Sequence, residues 1–151
     1  MTFRAINPTF VESDANALVD TGFLVALCDR RDQWHGWATA RARAHRGPWL
    51  TCEACVTELD HLLGFLVPPQ SLRIYELLAD GTLQSLHFLP EQLAGVSAEI
   101  SRYRGRRVDF ADACMVVLSD TFPKLPLITV DSDFAIYLRG RAARRLVAPS
   151  K

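Results

Sequence analysis

Short apolar runs alternate with longer segments of helical periodicity along this chain. "NALVD" (16–20) reads as a buried strand ending in Asp20. "TGFLVALCD" (21–29) follows with Phe23, Leu24, Leu27 and Cys28 at helical spacing. "QWHGWATARARAHRG" (33–47) reads as a second helix, stopped by Gly47 and Pro48. "WLT" (49–51) is a brief strand. "CEACVTELDHLLGFL" (52–66) is an amphipathic helix whose apolar stripe is Cys52, Cys55, Val56, Leu59, Leu62, Leu63 and Leu66. Further helices are expected over 71–81, 91–104 and 108–120, with strand-like runs over 83–90 and 126–131. A short turn of helix and a last apolar fragment (145–149) close the pattern. Strands alternating with helices imply crossover connections and a mostly parallel sheet. The expected organisation is an N-terminal extension over 1–15, which shows no sustained period, and one α/β domain over 16–151.

Composition narrows the setting more than the chemistry. At 151 residues the chain is long enough for one real core, and 49% hydrophobic with 23% charged residues is ordinary for a globular domain. Lys+Arg and Asp+Glu both number 17, so global charge predicts no partner. No apolar run of ~18 residues is present, so no membrane contact is expected. The N-terminus carries no secretory pattern, and four cysteines in a chain of this length do not suggest a disulfide framework. A cytoplasmic protein with reduced thiols is the expectation. Cys52-x-x-Cys55 invites a zinc or redox reading, but both thiols fall on the apolar stripe and no second pair completes four soft ligands. They are expected to pack in the core.

The candidate chemistry lies in the acids. Asp20 and Asp131 both end apolar runs, and ligands of open parallel sheets bind beyond the carboxyl ends of strands. Each also suits the N-cap of the helix that follows, with Asp133 favoured by the helix dipole. Asp109 and Asp112 lie three apart and share a helical face, unless Asp109 is the N-cap and Asp112 reaches back to it. Glu58 lies beside one edge of the stripe over 52–66, and Glu53 and Asp60 beside the other. Periodicity does not choose between them.

Four segments, "LVDTGFLVALCDRRDQWH", "TCEACVTELDHLLG", "DFADACMVVLSD" and "LITVDSDFAIY", resemble in order the acidic segments of PIN-domain ribonucleases. The closest subgroup is the VapC-like toxins of bacterial type II toxin–antitoxin pairs and their stand-alone relatives. The likeness spans roughly 16–148. It implies a PIN-like three-layer α/β/α fold around a short, mostly parallel sheet. It implies Asp20, Glu58, Asp112 and Asp131 as catalytic residues, and so favours Glu58 over Glu53. Asp20, Asp112, Asp131 and Asp133 are its implied metal ligands, and Asp109 matches a frequent further acid. Gly22 departs from the pattern, in which Asn or Ser often follows the "DT".

Clustered carboxylates repel unless a cation compensates them, and hard oxygen donors select Mg²⁺ or Mn²⁺. The expected activity is metal-dependent endoribonuclease hydrolysis of single-stranded or structured RNA, as the toxin of a toxin–antitoxin pair. The alternative is a catalytically weak PIN-like module that binds RNA or a partner. An aspartate-nucleophile phosphatase is excluded, because it needs a second Asp two residues after the first and Gly22 stands there. Two arginine groups are candidate grips on a polyanion: Arg102, Arg104, Arg106 and Arg107 before the Asp109 helix, and Arg139, Arg141, Arg144 and Arg145 after Asp133. The resemblance adds a small antitoxin protein and a homodimer as partners. Trp34, Trp37 and the apolar face of "YELLADG" are candidates for that docking, or for ordinary packing.

Overall fold

The computed structural model describes residues 14–86, 91–141 and 145–150. Most of the expected N-terminal extension, the end of the 83–90 run, and Arg144 lie outside the described residues. The elements are β1 (Ala17–Val19), α1 (Thr21–Cys28), α2 (His35–Ala44), β2 (Trp49–Cys52), α3 (Glu53–Gly64), α4 (Leu72–Ala79) and β3 (Leu83–Leu86). They continue with α5 (Leu93–Arg102), α6 (Phe110–Thr121), β4 (Leu127–Ile128), α7 (Phe134–Tyr137) and β5 (Leu146–Val147).

The five strands form one sheet in the order β3-β2-β1-β4-β5, and every pairing is parallel. β1 and β2 are buried throughout, as continuous apolar strands of a sheet covered on both faces must be. Alternate residues feed two cores. Leu18, Leu50 and Leu127 pack with Val96 of α5, most of α6, and Phe134 and Tyr137. Ala17, Val19, Trp49 and Ile128 pack with Phe23 and Leu24 of α1, Leu59 and Leu63 of α3, and Ile74 of α4. The result is the expected three-layer α/β/α arrangement, with β1 in the centre and β4 beside it.

Three local expectations change. Cys52 belongs to β2 rather than to the helix, and α3 starts at Glu53. The buried stripe of α3 narrows to Cys55, Leu59 and Leu63, while Leu62 is 42% exposed. A helix lying over one sheet face needs only this narrow seam. Trp34 and Trp37 are half-buried against the second core, Trp37 edge-on to Phe23, so they pack rather than form an open groove. All four cysteines are free and buried, Cys52 Sγ lying 3.6 Å from Cys55 Sγ, as core packing predicts.

Candidate active site

β1 and β4 are paired neighbours, in register at Leu18–Leu127 and Val19–Ile128. Parallel neighbours deliver the residues after them to the same edge of the sheet, so Asp20 and Asp131 emerge together. Asp20 is buried and does two jobs. One carboxylate oxygen caps α1 by accepting the Phe23 N–H at 2.9 Å. The other accepts the Thr129 hydroxyl at 2.5 Å. Thr129 Oγ1 also accepts the Asp131 N–H at 2.9 Å, and Asp131 accepts the Asp133 N–H at 2.8 Å. One buried hydroxyl therefore sets the spacing of the two strand-end acids.

α3 brings Glu58 to the same place. Its carboxylate accepts the Thr21 hydroxyl at 2.7 Å, and Thr21 is the first residue of α1. Glu53 is exposed, and Asp60 accepts the Tyr75 hydroxyl at 2.9 Å on the outside of α4. The choice that periodicity left open falls to Glu58. At the start of α6, Asp109 is the N-cap and accepts the Asp112 N–H at 2.8 Å. Among the described residues the Asp112 carboxylate makes no return bond, so only half of the anticipated reciprocal cap forms, and its side chain is left to the acid cluster.

The electrostatics reflect how close these acids lie. Asp112 is pushed up to about 8, first by burial and then by the charges of Asp109, Asp131, Asp20 and Glu58. Asp20 rises to about 7 because burial and the Asp131 charge outweigh its hydrogen bonds from Thr129 and Phe23. Among the described residues no Lys, Arg or His forms an ion pair with Asp20, Glu58, Asp112 or Asp131. Asp133 differs from these four: it is exposed at the N-cap of α7 and meets Asp131 through its backbone N–H. Gly22 sits against this cluster. A Cβ there would lie 3.1 Å from Val130 Cγ2 and 3.8 Å from an Asp20 oxygen, so Val130 would have to give by a few tenths of an ångström to admit a side chain at 22.

The donors of Asp20, Glu58, Asp112 and Asp131 are carboxylate oxygens with no ion-paired base among the described residues, the chemistry that a hard divalent cation takes. Among the described residues no three His, Cys, Asp or Glu side chains converge tightly enough to enclose an ion.

In the second arginine group, Arg141 and Arg145 are not free grips. Arg141 bonds Glu99 at 2.6 Å and Asp120 at 3.1 Å, tying the end of α7 to α5 and α6. Arg145 donates to the carbonyls of Ser119, Phe122 and Leu125 around the end of α6. The residues that sequence reasoning missed are Thr129 and Thr21. Thr21 stands directly after Asp20, a position that could have signalled it, whereas nothing in the sequence marked Thr129.

No protein-family model matches the chain, and no curated protein matches it in sequence. Among solved structures it is similar to Mycobacterium tuberculosis VapC20, a sarcin-ricin loop cleaving toxin. The TM-score is 0.71 at 20% identity, over 85% of this chain and 98% of that one. With its parallel sheet, its covering helix layers and its acids at the ends of the two central strands, this chain has the PIN-like α/β fold that it shares with VapC20.

Proposed function

We propose that this protein is a metal-dependent endoribonuclease, acting as the toxin of a toxin–antitoxin pair. The observation that carries the reading is the convergence of Asp20, Glu58, Asp112 and Asp131, without a basic partner among the described residues, in a fold shared with an RNA-cleaving toxin. Asp20, Asp112 and Asp131 would hold Mg²⁺ or Mn²⁺, with Asp133 at the rim. When bound, such an ion polarises the phosphate and makes a water more acidic. Asp20 is preset for this task by Thr129 and the Phe23 N–H, so its carboxylate needs no reordering on binding. Glu58, steadied by Thr21, is placed to orient the attacking water and accept its proton. The exposed apolar residues Phe65, Val67, Leu72 and Tyr75 around α3 and α4 are the surface this reading gives to a small antitoxin or a second copy.

The test is cleavage of single-stranded RNA by purified protein with Mg²⁺ or Mn²⁺, and its loss in excess chelator. Glu58→Gln should lower the rate at least ~100-fold, within the range for a lost general base, while Glu53→Gln stays near wild type. Equal damage from both substitutions would remove Glu58 from the chemistry. A wild-type protein that binds RNA without cutting it under either metal would leave a binding module instead.

A further inference from the structure

We propose that the loop between α5 and α6 grips the phosphate backbone of single-stranded RNA beside the acid cluster, through Arg102, Arg104, Arg106 and Arg107. The assignment rests on the ribonuclease reading above and names the surface that serves it.

The two arginine groups look alike in sequence and differ in the fold. Arg141 and Arg145 are consumed by internal carboxylates and carbonyls. Arg102, Arg104, Arg106 and Arg107 are all exposed, and none of them makes an ion pair among the described residues. Four like charges within six residues repel one another, and none of them is taken up by an ion pair among the described residues. An external polyanion offsets that repulsion.

The loop is also built as a platform. The Arg106 N–H bonds the Tyr103 carbonyl at 2.7 Å, and the Val108 N–H bonds the Arg106 carbonyl at 2.8 Å. Tyr103 packs against Tyr137 of α7 with the rings tilted by 59° and their centroids 5.0 Å apart, and its hydroxyl reaches the Tyr137 carbonyl at 3.4 Å. The loop is thus fastened to the segment that follows Asp131 and Asp133. It leads within two residues into Asp109, the cap of the helix that presents Asp112. A preformed surface loses little entropy on binding.

The charge pattern supplies the need. The acid cluster repels an approaching phosphodiester, and a formal net charge of zero gives the whole protein no compensating attraction. Attraction has to be local, and this loop is an unpaired cationic surface that the described fold sets immediately before α6.

The experiment uses the full chain carrying Asp20→Asn, so that chemistry is off, and a fluorescent uridine oligomer of about a dozen nucleotides read by anisotropy over a salt series. Adding Arg104→Gln, Arg106→Gln and Arg107→Gln should weaken binding at least tenfold at ~100 mM salt. It should also lower the slope of log K against log[salt] by about 2, since each single-strand phosphate contact contributes about 0.7. Arg107→Gln alone should give about a third of that slope change, and circular dichroism checks that each variant folds. Arg30→Gln with Arg43→Gln, both exposed residues elsewhere, should change neither quantity. Binding within twofold of the parent in the triple variant overturns the assignment, as does a parent without salt-dependent binding. Equal, arginine-dependent binding of polyglutamate overturns it in favour of an acidic protein partner. Arginine-dependent RNA binding by a wild-type protein that never cleaves RNA supports this surface and ends the nuclease reading. Cleavage with arginine-independent binding does the reverse.

Discussion

Thr129 donates its hydroxyl hydrogen to Asp20 across 109 residues of sequence, and the same oxygen accepts the backbone N–H of Asp131. The two acids that end neighbouring strands are therefore joined by one buried side chain. Thr129→Val keeps the shape and removes both bonds, leaving polar groups buried without partners. It should cost about 1–3 kcal/mol in urea unfolding, with Thr129→Ser recovering most of the loss. A valine variant as stable as wild type would mean that the bridge contributes nothing.

The corresponding bond on the other side of the site is Thr21 to Glu58. Thr21→Val should leave the unfolding midpoint within ~1 kcal/mol of wild type, because Glu58 is half-buried and water can replace the lost donor. RNA cleavage should fall roughly tenfold or more, as a base loses its orientation. Unchanged cleavage would show that Glu58 needs no help from Thr21.

Stability should depend on pH in the direction opposite to ordinary acid denaturation. Asp20 at about 7 and Asp112 at about 8 lie above their usual value of 3.8. The folded state then binds more protons than the unfolded state between about pH 4 and 8, and stability falls as pH rises through that window. The contribution is fully present below the unfolded value and lost above the folded one. In chelator, the urea midpoint at pH 5.5 should exceed that at pH 8, and Asp112→Asn should flatten the difference. An identical profile in the variant would contradict the raised Asp112 value.

Divalent cation should reverse that trend. Binding to the folded state adds RT ln(1+[L]/Kd), about 2.7 kcal/mol at a hundredfold excess over Kd, or roughly 5–11 °C at 2–4 °C per kcal/mol for a domain of this size. Mg²⁺ or Mn²⁺ should raise Tm for wild type and for Asp29→Asn, whose carboxylate bonds Arg31 at 3.4 Å away from the cluster. Asp20→Asn should show little or no rise. Equal responses from the two variants would place the ion elsewhere.

Arg141 offers a test of the framework behind the site. Glu99 is buried, and its second oxygen has no partner among the described residues. Arg141→Ala strands that charge and should cost about 3–5 kcal/mol, whereas Glu99→Leu with Arg141→Met should be near neutral. A mild effect of the single change would show that water reaches Glu99.

The end of β1 was legible because an apolar run that stops at an acid is a strong local contrast, as at Val19–Asp20; the run ending at Val130–Asp131 overshot, since β4 stops at Ile128. The parallel character of the sheet followed from the alternation rule, whereas its order and the centrality of β1 came with the structure. Thr129 was not legible. A threonine inside "LITV" is ordinary strand filler, and its partner is remote in sequence. Nor was the fate of the arginines, since Arg104 and Arg141 stand in equally basic runs. Only the positions of Glu99 and Asp120 separate a tether from a free charge. Leu62 shows the limit of periodicity, which measures a stripe's direction well and its width poorly.

The contact between Gly22 and Val130 bears on how such a chain changes over generations. A serine or asparagine at 22 would bring its Cβ to 3.1 Å from a branched side chain that has few rotamers in which to retreat. Val130 must then give by a few tenths of an ångström before a side chain at 22 fits, and shortening it to alanine removes that demand. The two positions form a coupled pair, so a polar residue at 22 should be better tolerated in descendants of this chain that have first trimmed residue 130.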